Sequence, residues 1–298
     1  MKILLQTNQR NETLLSKEYD KLVESGFEII PFGYLYEKEE AVRGIYGIPR
    51  TFIKLTGIED VSPEDQIYTR VCIPVLRDMF IKGLSTNLSS FRNTIQYNAR
   101  SFRLDALPVN SELINKTEGK FLSSYLLNVL DNKYHKDIFM KPNDDLKLFS
   151  GTLVPAGKTL KEVLTEKNEL NTVLDQITAA VHMSSNILDI AEEVRCYVVN
   201  KKVVTISKYR SNGSFNTNPI TYGDTLDYIK YAQNMIDTVY SPCDNFTIDI
   251  AKLKDDTLKV IEYNCLTSSG LYECDSKALF TALKNYYYWF KRDSYYVK

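Results

Sequence analysis

Residues 246–270 read FTIDIAKLKDDTLKVIEYNCLTSSG, and no other stretch limits the fold as tightly. Phe246–Ala251 and Leu258–Asn264 alternate apolar and polar residues and are rich in β-branched and aromatic side chains. A polar Lys-Asp-Asp-Thr turn separates them, the pattern of a hairpin. Folded about the midpoint of Asp255 and Asp256, the hairpin sets Asp249 opposite Glu262, and opposed residues share a face. Asn264, two residues further along, shares that face as well. Two carboxylates and an amide oxygen then converge beside apolar Ile248, Ile250, Val260 and Ile261. Like charges facing each other destabilise a sheet, and a hard cation reverses the sign. Mg²⁺ takes one or two carboxylates together with substrate phosphates. The competing reading is a hairpin whose acids all face water.

The remaining elements follow from periodicity. Lys2–Gln6 is an apolar strand. Glu12–Ser25 carries Leu14, Leu15, Tyr19, Leu22 and Val23 at helical spacing and stops at Gly26, a C-cap residue. Phe27–Pro31 is a second strand, so the chain opens β-α-β, the beginning of a parallel α/β lobe. Residues 34–60 are polar and mixed, with Gly44, Gly47 and Pro49 as breakers. Asp65–Leu84 reads as a helix with a kink at Pro74. Residues 85–110 are rich in Ser, Asn and Arg with little periodicity, and a lobe boundary is placed there. The expected division is residues 1–110 and 111–298.

In the second part, Glu112–Leu130 is an amphipathic helix. Asp137–Pro142 is a strand, and Thr152–Pro155 returns antiparallel to it. Leu160–Leu170 is a charged helix, and Thr172–Met183 fits helix or strand. Glu193–Val199 and Lys202–Tyr209 form a hairpin turning at Asn200-Lys201. Asp224–Tyr240 and Ser276–Phe290 are helices on either side of the acidic hairpin.

Composition removes several function classes. With 298 residues there is length for two domains. Lys+Arg 37 against Asp+Glu 38 leaves a net charge of −1, so no global field draws in nucleic acid or an anionic membrane. The five cysteines form no CxxC pair and are odd in number, which speaks for reduced thiols in a cytoplasmic protein and against a disulfide scaffold or zinc site. The opening MKILLQTNQR lacks the apolar core of a signal peptide, and no run is long enough to span a bilayer. The two histidines are His135 and His182, and no HExxH, GxSxG, Walker A or GxGxxG motif is present.

Three constellations remain. Lys141 ends a strand, with Lys147, Phe149 and Gly151 close behind: an ammonium at a strand edge meets a phosphate as a point charge, and a Gly-bearing loop brings backbone N–H groups to a polyphosphate. The competing reading is a surface lysine before a Pro turn. Glu193-Val194-Arg195 faces Lys208-Tyr209-Arg210 on the return strand, where a guanidinium can clamp a phosphate or join a cross-strand ion pair. The third is the hairpin of Asp249, Glu262 and Asn264, running into a small, hydroxyl-rich loop.

In this order, KPNDDLKLFSG, EEVRCYVVNKKVVTISKYR and IDIAKLKDDTLKVIEYNCLTSSGLY resemble the ATP-grasp superfamily, and within it the R2K clade, many of whose members are phage-encoded. The resemblance covers residues 137–285. It implies an α/β ATP-grasp fold, two α+β lobes clasping ATP, preceded by a Rossmann-like lobe that no motif marks. It implies ATP and Mg²⁺ as cofactors. Lys141 resembles the strand lysine on the ATP phosphates, and Lys147 the second lysine in the covering loop beside Gly151. Arg195 resembles the arginine at the transferring phosphate, and with Lys147 and Arg210 it makes up the expected catalytic set. Glu193 matches the acid before that arginine. Asp249, Glu262 and Asn264 match the magnesium ligands. The adenine-binding hinge then falls near His182–Asn186, at His182, Ser184 and Ser185, a polar segment that departs from the family's hinge. The implied activity is ATP-dependent carboxylate–amine ligation through an acylphosphate, with a carboxylate and an amine as unidentified substrates. A kinase on the same fold and a nucleotide-binding module without turnover are the alternatives.

Overall fold

The structure, a computed structural model, describes residues 2–6, 12–37, 52–56, 67–70, 122–142, 148–174, 177, 179–184, 187–239, 241, 242, 244–264, 266 and 269–294. The described strands form three sheets.

The first sheet holds β1 (Lys2–Gln6), β2 (Glu28–Glu37), β3 (Phe52–Thr56) and β4 (Ile67–Arg70) in the order β3-β2-β1-β4. β1 runs parallel to β2 and β4, and β3 is antiparallel to β2. Helix α1 (Glu12–Glu24) joins β1 to β2, so the expected β-α-β opening is present. Gly26 follows α1 at φ +79 and donates its N–H to the Val23 carbonyl, the left-handed helix stop that glycine adopts without a Cβ clash. Two expectations fail here. The segment read as irregular continues β2 to Glu37 and supplies β3. The helix expected over Asp65–Leu84 is a strand at Ile67–Arg70, because Ile-Tyr-Thr-Arg gains a backbone partner in β1 that local periodicity does not contain. Pro74 and residues 85–110 lie outside the described residues.

The second sheet is antiparallel, in the order β5-β8-β6-β7: β5 (Leu122–Tyr125), β6 (Ile138–Pro142), β7 (Thr152–Val154) and β8 (Ala180–Ser184). β7 returns against β6 as expected, Ile138 pairing with Val154. Thr172–Met183, open between helix and strand in the sequence, ends in β8. The helix expected over Glu112–Leu130 is corrected at its described residues: Leu122–Tyr125 is a strand paired with β8, and the helix there is the four-residue α2 (Leu126–Val129). α3 (Leu160–Glu166) starts at a capping box, Thr159 and Glu162 satisfying each other's backbone N–H. Asn168 at φ +56 stops it short of the expected Leu170. Ile138, Met140, Val154, Leu160, Leu164 and Val181 form the core of this unit.

The third sheet is antiparallel, in the order β11-β10-β9-β12-β13: β9 (Ile190–Val199), β10 (Lys202–Ser211), β11 (Ser214–Phe215), β12 (Phe246–Leu253) and β13 (Leu258–Asn264). Asn200 and Lys201 join β9 to β10 at φ +52 and +60, the pair of left-handed residues that a tight hairpin requires. Side chains alternate between the two faces. Val194, Cys196, Val198, Ile248, Ile250, Val260 and Tyr263 pack under helix α4 (Tyr222–Thr238) with its Tyr228, Ala232, Met235 and Ile236. The intervening residues, among them Arg195, Tyr197, Thr247 and Asp249, are therefore turned to the other face. There the loop 269–275 and helix α5 (Ser276–Ser294) follow. No helix among the described residues is long and apolar enough to cross a membrane.

Candidate functional site

β12 is flanked by β9 on one side and β13 on the other, which makes Asp249 the meeting point of two cross-strand pairs. It lies opposite Glu262 on β13 and opposite Arg195 on β9. The Asp249–Glu262 register is the one read from the sequence. Next to that pair the register slips: Ile250 pairs with Val260, so Ile261 is an extra residue. Such a bulge bends the strand and re-aims the side chains beyond it.

The Asp249 carboxylate is 0% exposed and Arg195 8%. Arg195 donates from Nε to Oδ1 and from Nη2 to Oδ2, both at 2.8 Å, the two-pronged geometry in which a guanidinium binds most strongly. Burial disfavours charge on Arg195, but the Asp249 carboxylate outweighs it and holds the guanidinium protonated well above its ordinary range. Burial pushes the Asp249 carboxyl up, and the Arg195 guanidinium opposes that rise through charge and hydrogen bonds; Nη1 lies outside the two bonds. Asn264 closes the other side, its Nδ2 donating to Asp249 Oδ2 at 3.1 Å and to Glu262 Oε1 at 2.9 Å. The polar hydrogens of one amide thus sit between two carboxylates.

The donor types here are ones a hard cation takes, and as the residues stand both Asp249 oxygens accept from Arg195. Among the described residues no three His, Cys, Asp or Glu side chains gather as a metal site. The set here is two carboxylates and an amide, all able to offer oxygen, and the Asn264 amide already brings positive charge density to the place between the acids. Turning that amide over presents Oδ1 instead. Mg²⁺ prefers oxygen donors of this kind.

Around Arg195 stand aromatic rings that sequence reasoning did not assign. Its Cζ is 5.3 Å from the centroid of Tyr209 and 5.4 Å from that of Tyr272. The two rings stack on one another at 5.3 Å and 13°. The Tyr209 hydroxyl donates to Glu193 Oε2 at 2.7 Å, and burial above all pushes its pKa far up, so it remains a phenol and a donor. Arg210 reaches Glu193 Oε1 at 3.3 Å from the next position on β10. Glu193 is thus held from both sides, and Arg210 forms the cross-strand ion pair that the sequence allowed. Tyr209 stands in the Lys-Tyr-Arg run, and its strand position was the signal for it. Tyr272 closes the CLTSSGLY run, which was read for its small hydroxyl residues and not for this ring.

The other expected residues lie on the second sheet. Lys141 is half-buried on β6, opposite His182 on β8. Gly151 lies against the same strand: a Cβ there would come within 2.8 Å of the Phe139 ring and 3.9 Å of Lys141 Cβ. Ser150 is fixed beside it by Glu169, which accepts from its N–H at 2.8 Å and its hydroxyl at 3.0 Å. Ser184 is buried on β8 opposite Phe139. Lys147, Ser185 and the His182 side chain lie outside the described residues. The third sheet therefore gathers Glu193, Arg195, Arg210, Asp249, Glu262 and Asn264, and the second holds Lys141, Gly151 and Ser184.

A family model described as ATP-grasp domain, R2K clade family 2, matches residues 119–282. Among solved structures, the fold is similar to D-alanyl-alanine synthetase A from Vibrio cholerae, at 12% identity over 97% of this chain and 98% of that one, with a TM-score of 0.51. It is similar to the D-cycloserine synthetase DcsG, at 12% identity over 96% and 100% with a TM-score of 0.51. It is also similar to a D-alanine–D-alanine ligase from Bacillus anthracis complexed with ATP, at 11% identity over 98% of each chain with a TM-score of 0.50. No curated protein matches the sequence.

Proposed function

The chain belongs to the ATP-grasp superfamily, in family 2 of its R2K clade, and from that premise we propose that it is an ADP-forming ligase joining a carboxylate to an amine. The γ-phosphoryl group of ATP passes to a carboxylate oxygen, giving ADP and an acylphosphate. The amine nitrogen then attacks the acyl carbon, the C–O bond to phosphate breaks, and an amide and inorganic phosphate leave with loss of the amine proton. The protein's part is to position the reactants and neutralise charge.

The observation that carries this reading is the convergence of Asp249, Glu262 and Asn264 with Arg195 on one face of one sheet. Asp249, Glu262 and Asn264 are the residues that would hold Mg²⁺. When bound, the ion supplies charge neutralisation to the ATP phosphates. Arg195, already aimed by Asp249 and flanked by Tyr209 and Tyr272, meets the charge of the phosphoryl group in transfer. Lys141, Gly151 and Lys147 are assigned to the ATP phosphates, and His182, Ser184 and Ser185 to the adenine side. Glu193 holds Tyr209 and Arg210 in place. The structural neighbours named as synthetases and ligases on the same fold support ligation over a transfer that stops at phosphate.

The test is incubation with Mg-ATP and mixtures of carboxylates and amines, following ADP and product mass. A ligase forms ADP only when a carboxylate is present, yields an amide mass, and gives a hydroxamate when hydroxylamine replaces the amine. A phosphorylated product that resists hydroxylamine makes the protein a kinase. Nucleotide binding without ADP in any mixture makes it a binding module.

A further inference from the structure

Tyr272 is held in the left-handed region at φ +48, where a bulky side chain is out of place. Such a conformation persists only where the surroundings over-determine it, and here they do so from two directions. From the sheet, the Tyr197 hydroxyl lies 2.6 Å from the Gly270 carbonyl oxygen and 2.9 Å from that of Leu271, and Ser207 Oγ accepts the Glu273 N–H at 3.0 Å. From α1, more than 250 residues away in sequence, Glu18 Oε1 accepts the Leu271 N–H at 3.1 Å. Lys21 Nζ donates to the Tyr272 carbonyl at 2.6 Å and to Glu273 Oε2 at 2.5 Å. Phe27, just after α1, packs edge-on against Phe280 of α5 at 6.1 Å, so the helix is anchored where it makes these bonds.

The held backbone puts the ring where it matters. Tyr272 folds over Gly270, so that a Cβ at 270 would lie 2.8 Å from its Cζ. The ring reaches the stack with Tyr209 and stands 5.4 Å from the Arg195 guanidinium. An aromatic face beside a buried cation stabilises it and excludes water.

We propose that Lys21 and Glu18 are positioning residues for Arg195: by fixing the backbone on both sides of residue 271 they hold Tyr272 against the guanidinium, so the N-terminal helix sets the competence of the phosphoryl-transfer site. The consequence for turnover rests on the ligase reading; the placement of Tyr272 does not, and the two are measured separately.

Lys21→Met keeps the side-chain stem and removes the ammonium, and Lys21→Arg keeps a donor. Nitration of tyrosines by tetranitromethane, mapped by peptide mass, reads the exposure of Tyr272, with the buried Tyr228 as internal control. Steady-state ADP formation reads kcat and the KM for ATP. In Lys21→Met, nitration of Tyr272 should rise severalfold while that of Tyr228 stays fixed, and kcat should fall about tenfold or more with little change in KM, since misplacing a transition-state contact acts on kcat. Lys21→Arg should restore both. Gly270→Ala, which displaces the ring without touching Lys21, should reproduce both effects. If Lys21→Met fails to fold, Glu18→Met, which removes the acceptor of the Leu271 N–H, carries the same two readouts. Unchanged Tyr272 nitration in the α1 variants overturns the positioning role, and raised nitration with unchanged kcat overturns its link to Arg195. If the wild-type protein forms no ADP, the ligase reading fails while the nitration result still decides whether α1 positions Tyr272.

Discussion

Arg195 and Asp249 face each other across adjacent strands, joined by two parallel hydrogen bonds of 2.8 Å in a place where neither meets much water. The residue expected at the transferring phosphate and the residue expected on the metal are thus direct partners. Each is aimed by the other before any ligand arrives. Breaking such a pair by removing one member leaves a lone buried charge. Arg195→Ala should therefore destabilise the protein by about 3–5 kcal/mol, read from the midpoint of urea unfolding at constant slope. A change within error places the pair in contact with water and removes this account of it.

Glu262 behaves differently because it is only partly buried, where it accepts from the Asn264 amide. Glu262→Gln keeps the shape and relieves repulsion with Asp249. It should unfold within a few degrees of the wild type while losing most of the gain in ATP affinity that Mg²⁺ supplies. Binding linkage is reciprocal, so ATP should lose its effect on Mg²⁺ affinity by the same factor. Calorimetric titration of ATP with and without Mg²⁺ measures this, and an unchanged gain excludes Glu262 as a ligand.

Lys141 stands half-buried on β6 beside Gly151. Lys141→Ala should weaken ATP binding by about 1–3 kcal/mol, the scale of a lost hydrogen bond from a charged donor. Equal affinity in the variant, with the fold intact by circular dichroism, moves Lys141 out of the nucleotide site.

Thr221 caps α4 by accepting the Asp224 N–H, and the Asp224 carboxylate ties that helix start to the acidic hairpin. It accepts from the Thr221 hydroxyl at 2.7 Å and from Lys252 at 3.1 Å, and these bonds, Thr221 first, hold its carboxyl below the ordinary value. The unfolded chain then takes up the proton first as pH falls. The stability Asp224 supplies is complete above the unfolded value, about 3.9, and is lost as pH drops through the lower folded value. Asp224→Asn should accordingly be less stable than the wild type at pH 6, with the difference shrinking towards pH 3. A difference that is the same at both pH values argues against this carboxylate.

What the sequence determined by itself is local. Two-residue alternation around Asp255-Asp256 specified that Asp249 pairs with Glu262 and that Asn264 shares their face, because register in a hairpin follows from the turn and the pattern. The β-α-β opening and the Lys141 strand were legible for the same reason, and the ordered motifs sufficed for the family. Ile67–Arg70 and Leu122–Tyr125 were read as helix because four-residue strands carry little periodicity of their own and exist through β1 and β8. The commitment of Asp249 to Arg195 was not legible either, since it depends on β9 lying beside β12, with the partners 54 positions apart in the chain. Nor was the stack of Tyr272 on Tyr209, or its tether to Lys21 across 251 residues. Strand order and loop docking are settled by burying whole faces against one another, a sum over many distant side chains that no single stretch of sequence contains.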